Sequence, residues 1–276
     1  MLMLTRGTTL SLASMLFLLG CSSSRTTTPP LSKNAREAIS VSAASSPRGL
    51  GSDTVVASSS AETPLSTKWH IVIVSRAAIS IDAGPPIVRL PFAEARDGIY
   101  IAPLGEVLRA MDHGHELVFA FDPATPYQLV IQTLYTASVT EVTKFHLAVR
   151  RNGSPTEFVS RASPATGAGN APSLGLVVLV SDEGASIRVR GGYIGANCAL
   201  PRENASALMA KGVFDMGSLA ACAGKLRARY PEAEDRVIIG AAPSLKWETL
   251  VRVADALRAT GDGIPLFPSV EWAVVP

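Results

Sequence analysis

Few residues in this chain have the type and spacing that chemistry requires. Two histidines flank a glycine at His113-Gly114-His115, but no third ligand stands at metal-binding distance along the chain, so a metal centre is not expected. Serines are plentiful, yet no G-x-S-x-G elbow occurs, and no histidine has an acidic partner that the sequence alone can assign. Gly167 and Gly169 fall in a Gly/Pro/Ala/Ser-rich stretch without the strand-to-helix context of a phosphate loop. Asp122 follows an apolar run, where α/β proteins often place functional groups. No catalytic residue, metal or cofactor is therefore expected, and the chain reads as a non-enzyme.

The cysteines carry the more definite chemistry. There are three, Cys21, Cys198 and Cys222, too few for a disulfide scaffold and without metal-ligand spacing. Before Cys21, one positive charge (Arg6) precedes an apolar stretch that ends at Leu19. Crossing a bilayer takes about 20 apolar residues, and this stretch is shorter and interrupted by Thr and Ser, which is the layout of a secretory signal peptide. Leu18-Leu19-Gly20-Cys21 resembles the lipobox of bacterial lipoproteins. The resemblance implies cleavage before Cys21, diacylation of its thiol and a periplasm-facing lipid anchor. Ser22 stands where an aspartate would favour inner-membrane retention, so the outer membrane of a Gram-negative envelope is favoured. An exported chain meets an oxidising compartment, which permits a Cys198–Cys222 disulfide; the alternative is two unpaired thiols.

The net charge is +2, charged residues are 17% and apolar residues 47% of the 276-residue chain. No basic run of four or more exists, so no nucleic-acid surface is expected. Residues 21–67 are dominated by Ser, Thr, Pro and Ala, and are expected to be a disordered tether after a signal peptide at 1–20.

The elements that must position everything else come in two sets. Leu117–Phe121 reads as a buried strand, followed by Pro123 and an amphipathic helix with Tyr127, Val130, Ile131, Leu134 and Ala137 on one face. An offset of 120 reproduces it: Val237–Ala241, Pro243, then Trp247, Leu250, Val251, Ala254 and Leu257. Thr125 with Pro126 reads as the start of the first helix. His70–Ser75 matches Leu176–Ser181 at an offset of 106, and the helical face Leu104, Val107, Leu108, Met111 matches Leu219, Cys222, Ala223, Leu226 at 115. Rising offsets are what loop insertions into a duplicated unit produce. Asp122 corresponds to Ala242, which excludes a role shared by both copies. Two domains are expected, at 68–151 and 174–276, joined by a linker at 152–173. Each has the order β-β-α-β-α-β and an α/β (α+β) fold, with a small mixed sheet carrying two helices on one face.

At Pro126-Tyr127-Gln128-Leu129-Val130 and Val251–Gly261, with Trp247 where a tyrosine usually stands, the chain resembles the periplasmic domain of the ExbD/TolR family of biopolymer transporters. The resemblance covers nearly all of residues 69–276. It implies a binding or scaffold module of a cell-envelope energy-transduction system, with ExbB/TolQ-type or TonB/TolA-type proteins or peptidoglycan as partners. Tyr127 and Trp247, at equivalent helix starts, are candidate partner-binding residues. The family's transmembrane helix and its proton-carrying aspartate have no counterpart here. An envelope hydrolase with a site between the two domains, or a structural lipoprotein without energy coupling, are the alternative readings.

Overall fold

The apolar runs of the sequence become strands because each pairs its backbone with a neighbour and sends successive side chains to opposite faces of the sheet. A computed structural model describes residue 50 and residues 54–66, 68–90, 98–161, 174–189, 192–194, 198, 209–210 and 213–273. Cys21, the expected signal peptide, residues 21–49 of the expected tether, and Gly167 and Gly169 lie outside the described residues.

The strands are β1 Thr63–Pro64, β2 Ile71–Val74, β3 Ala78–Ile81, β4 Val88–Arg89, β5 Glu116–Phe121, β6 Lys144–Arg151 and β7 Ser154–Arg161. They continue with β8 Val177–Ser181, β9 Gly184–Val189, β10 Gly192–Tyr193, β11 Met209–Ala210, β12 Val213–Phe214, β13 Arg236–Ala241 and β14 Ser269–Ala273. Four helices are described: α1 Ala102–Ala110, α2 Tyr127–Ser138, α3 Met216–Arg229 and α4 Trp247–Arg258.

The fold is mixed α/β, but the strands do not divide into two sheets in two separate domains. One mixed sheet runs β10-β9-β8-β13-β14-β7-β6-β5-β2-β3-β4, with β1 attached to β7, and β11 and β12 pair separately as a short ribbon. All described residues fall in one compact unit. Within the sheet, the order β3-β2-β5-β6 on one side recurs as β9-β8-β13-β14 on the other. The register recurs as well. Ile71 pairs with Val118 as Val177 pairs with Ile238, and Val72 pairs with Ile81 as Val178 pairs with Ile187. These are the offsets of 106 and 120 read from the sequence, realised residue for residue. Below, the first half means residues 68–161 and the second half residues 174–273.

Two expected boundaries are corrected. Residues 154–161, placed in the linker, form β7, the strand that joins the halves: it is antiparallel to β6 and parallel to β14. Its polar sequence with Pro155 hid it, although Asn152-Gly153, with φ of 51° and 83°, is the favoured turn of a two-residue hairpin. Residues 54–66, placed in the tether, are packed: Val56, Ala57 and Ala61 are buried, and β1 pairs with β7. This segment is called the strap below.

The buried residues of all four helices join one core on one sheet face, with Leu117, Phe119 and Phe121 of β5 pointing into it. Alternate residues Ile71, Val118, Ala120 and Ala148 point to the opposite face and pack with Val56 of the strap. Helix α1 forms where Leu104, Val107 and Leu108 recur at helical spacing behind Pro103 in its first turn. The hydroxyl of Thr136 on α2 accepts the N–H of Ile101 (2.9 Å), which fixes the entry to α1.

Candidate functional site

The point at which the two halves meet is built by the two strand–proline–helix turns. Helices α2 and α4 both begin without a side-chain cap. Thr125 is not the cap of α2; Pro126 holds that position, and the Thr125 hydroxyl is buried without a partner. The first N–H groups of a helix have no carbonyl within the helix to accept them. Here each helix finds its acceptors in the opposite half. Tyr127 and Gln128 donate to the carbonyls of Leu245 (2.7 Å) and Pro243 (3.1 Å). Trp247 and Glu248 donate to the carbonyls of Thr125 (2.8 Å) and Pro123 (3.0 Å). Four bonds, related in pairs by the same offset of 120, make each helix start dependent on the other half.

Side chains cross the same boundary. Tyr127 leaves α2 of the first half, and its hydroxyl lies 2.7 Å from the carbonyl of Ala273 and 3.0 Å from that of Ile239, on strands of the second half. Burial raises the phenol's pKa, against a smaller opposing effect of the bond to Ala273, so Tyr127 stays neutral and acts as a donor. Trp247 leaves α4 of the second half and packs its indole 5.2 Å from the ring of Phe121 on β5 and 5.0 Å from Trp272 on β14. Phe158 of β7 closes the aromatic group at 6.5 Å from Trp272. Tyr127 is 2% and Trp247 0% exposed, so the rings expected to receive an outside partner pack within the fold. The surface each aromatic binds is the other half of the same chain.

Beside this junction the sheet offers open recesses. One of 410 Å³ lies at the ends of β8 and β13, between the Ser181–Ser186 hairpin turn and Gly240–Pro243. A smaller one of 180 Å³ lies across Pro243 against Gln128 and Ile131 of α2. Ends of parallel strands next to the following helix are where open α/β sheets receive ligands. At the matching corner of the first half, Arg76 and Asp122 form an ion pair (3.2 Å), and Asp122 also accepts the N–H of Ala124 (2.8 Å). Asp122 is therefore a turn residue with a local partner.

Comparison of the chain with protein-family models, with curated proteins and with solved structures finds no match.

Cys198 and Cys222 form a disulfide with Cα atoms 5.4 Å apart, tying residue 198 to the buried face of α3. His113 and His115 line a recess of 460 Å³ with Arg109, Asp112 and Glu141. The Nδ1 of His113 accepts the N–H of His115 (3.1 Å), while the Nδ1 of His115 donates to the carbonyl of Glu141 (2.8 Å). Burial lowers the pKa of His113, outweighing its bond to the Thr140 carbonyl, so the ring is neutral near pH 7. Among the described residues no group of three or more His, Cys, Asp or Glu is arranged to hold a metal ion.

Two histidines that lacked an assignable acid in the sequence have one in the fold. The Nδ1 of His70 lies 2.5 Å from Oδ2 of Asp82, whose other oxygen accepts the N–H of Ile71 (2.8 Å). That bond to Asp82 raises the pKa of His70 against the lowering effect of burial. His146, on β6, has Glu157 at Nδ1 and Glu116 at Nε2, both at 2.8 Å. The partners are 11 and 30 residues away and meet only through strand register.

Proposed function

We propose that this protein is a periplasm-facing lipoprotein, anchored by an acylated Cys21, whose folded part is a fused pair of ExbD/TolR-like units. It acts as a binding or scaffold module of a cell-envelope energy-transduction or biopolymer-transport assembly. The observation that carries the reading is the repeated strand order and register of the two halves, joined by reciprocal capping of α2 and α4. A duplicated unit whose copies cap one another is a pseudo-dimer in one chain, the arrangement expected if the unit works as a pair. The junction consists of packed aromatic rings and backbone hydrogen bonds, which suits scaffolding more than catalysis. The open recess beside Pro243 is where a partner segment of the ExbB/TolQ or TonB/TolA type, or a peptidoglycan fragment, is received.

The test is photo-crosslinking from position 242, at the wall of the recess, in cells producing the full chain. Recovery of an envelope motor protein or of peptidoglycan is the expected outcome; recovery of neither sinks the reading. Metabolic labelling with a fatty acid that is lost in Cys21→Ser checks the anchor separately. Retention of label in that variant excludes acylation at Cys21.

A further inference from the structure

The strap is fastened to the β6–β7 hairpin along both of its edges. On the β6 side, Ser59 donates to the carbonyl of Arg150 (2.9 Å) and Arg150 donates to that of Ala57 (3.0 Å). On the β7 side, Thr63 pairs with Glu157 and Pro64 with Thr156, where proline offers no N–H to the ladder. The second fastening is thin: β1 is two residues long, and both are exposed. The contact from Leu65 N–H to the Pro155 carbonyl is 3.4 Å long. An exposed ion pair of Glu62 with Arg151 (2.6 Å) adds little in water, and the buried fastening of this end is the carboxylate of Glu157, whose Oε2 accepts the N–H of Ser66 (3.0 Å) and whose Oε1 faces Nδ1 of His146.

His146 sits between two carboxylates on the sheet face that the strap covers. Glu157 comes from β7, and Glu116 from β5; Lys144, on β6 itself, stands 3.0 Å from the same oxygen of Glu116. Trp69, just past the strap, stacks on the imidazole with ring centres 6.0 Å apart. Only a doubly protonated ring can donate to both glutamates at once. We propose that His146 is a proton-operated clasp: charged, it holds Glu157 in place to fasten the end of the strap at residues 62–66, and on losing its proton it releases that end from β7.

The consequences follow from burial. The Glu157 side chain is 5% exposed, and Glu116 keeps Lys144 as a second cation. When the imidazole becomes neutral, Glu157 is left as a buried carboxylate with neutral donors only, and buried charges without a countercharge are strongly disfavoured. It relaxes toward water and takes the Ser66 anchor with it. Burial lowers the pKa of His146, but its bonds to Glu157 and Glu116 outweigh this and raise it. A raised folded-state value means the fastening is complete below the ordinary imidazole pKa of 6.5 and is lost as pH rises through the higher folded value. Glu116 is held below its ordinary value, chiefly by His146, so its contribution is lost only on acidification through that lowered value.

Amide hydrogen exchange of the full chain tests this, with rates corrected for the intrinsic effect of pH. Protection of residues 62–66 is expected to fall by about tenfold per pH unit between the ordinary and the folded midpoint of His146. The fall should level off at the titration midpoint of the His146 ring followed by NMR, while β13 is unaffected. Glu157→Gln keeps the shape and removes the charge, so protection in this variant should no longer respond to alkaline pH. His70→Gln, which removes the other histidine with a raised value, should leave the response intact. Protection that stays constant through the His146 titration, persists in falling in Glu157→Gln, or loses its response in His70→Gln overturns the proposal.

Discussion

Where the β2–β3 turn meets the end of β5, Arg76 and Asp122 close the corner with an ion pair; at the matching corner of the second half Ala242 stands in place of Asp122 and lines an open recess of 410 Å³. The same contrast holds elsewhere. His70 and Asp82 lock the N-terminal end of the first hairpin, while the equivalent positions are Leu176 and Arg188. The second half has a disulfide in its larger insertion, and the first half has the strap across its strands. Backbone geometry is common to the halves and side-chain closure is not. The repeated part is what the halves need from each other, since strand register and helix capping fail if either copy drifts. The parts that differ are turns and insertions, where change costs the fold little and creates or removes a site.

The comparison can be broken most severely at the aromatic junction. Trp247→Ala should destabilise the chain by about 4 kcal/mol, because it empties a fully buried position that touches both halves. Tyr127→Phe, at the equivalent position, keeps the ring and should cost only about 1 kcal/mol for the lost hydroxyl bonds. Equal losses in urea melts of the two variants would show that the junction is not held by ring packing. Next comes the disulfide, which closes a sequence separation of 24 residues. Reducing it should cost about 3 kcal/mol in the chain-entropy model, with exchange accelerating in α3 and β9 before it does in β5. Uniform loss of protection would mean that the second half has no local stability of its own.

The smallest effect is expected at the closed corner. Asp122→Ala, which copies Ala242, should cost about 1 kcal/mol through the lost bond to Ala124. Arg76→Ala should cost about 0.5 kcal/mol or less, since its side chain is 76% exposed and water screens the pair. If the Asp122→Ala variant gains a ligand that the wild-type second half also binds, the corner is the site that the halves share in shape and differ in closing.

Much of this architecture could be read from the chain because it rests on local periodicity. The strand runs at 117 and 237, the helix faces at 127 and 247, and the offsets of 106 and 120 all survive as paired registers. The Cys198–Cys222 pair was likewise legible, from the cysteine count and the expectation of export. What could not be read depends on contacts between distant segments. Strand β7 has too polar a pattern to declare itself and exists because β6, β14 and β1 offer it partners. The strap has a tether's composition, yet Val56, Ala57 and Ala61 find apolar surface to cover.

Tyr127 and Trp247 show the division most clearly. Helical spacing alone determined that each would stand at the start of an amphipathic helix. Only the tertiary structure decided that each would be buried against the opposite half, because a helix start must find acceptors for its N–H groups and the nearest were in the other copy. The same holds for His146. Its ring chemistry is intrinsic to the residue, but the two carboxylates that favour its charged form were set on either side of it by strand register.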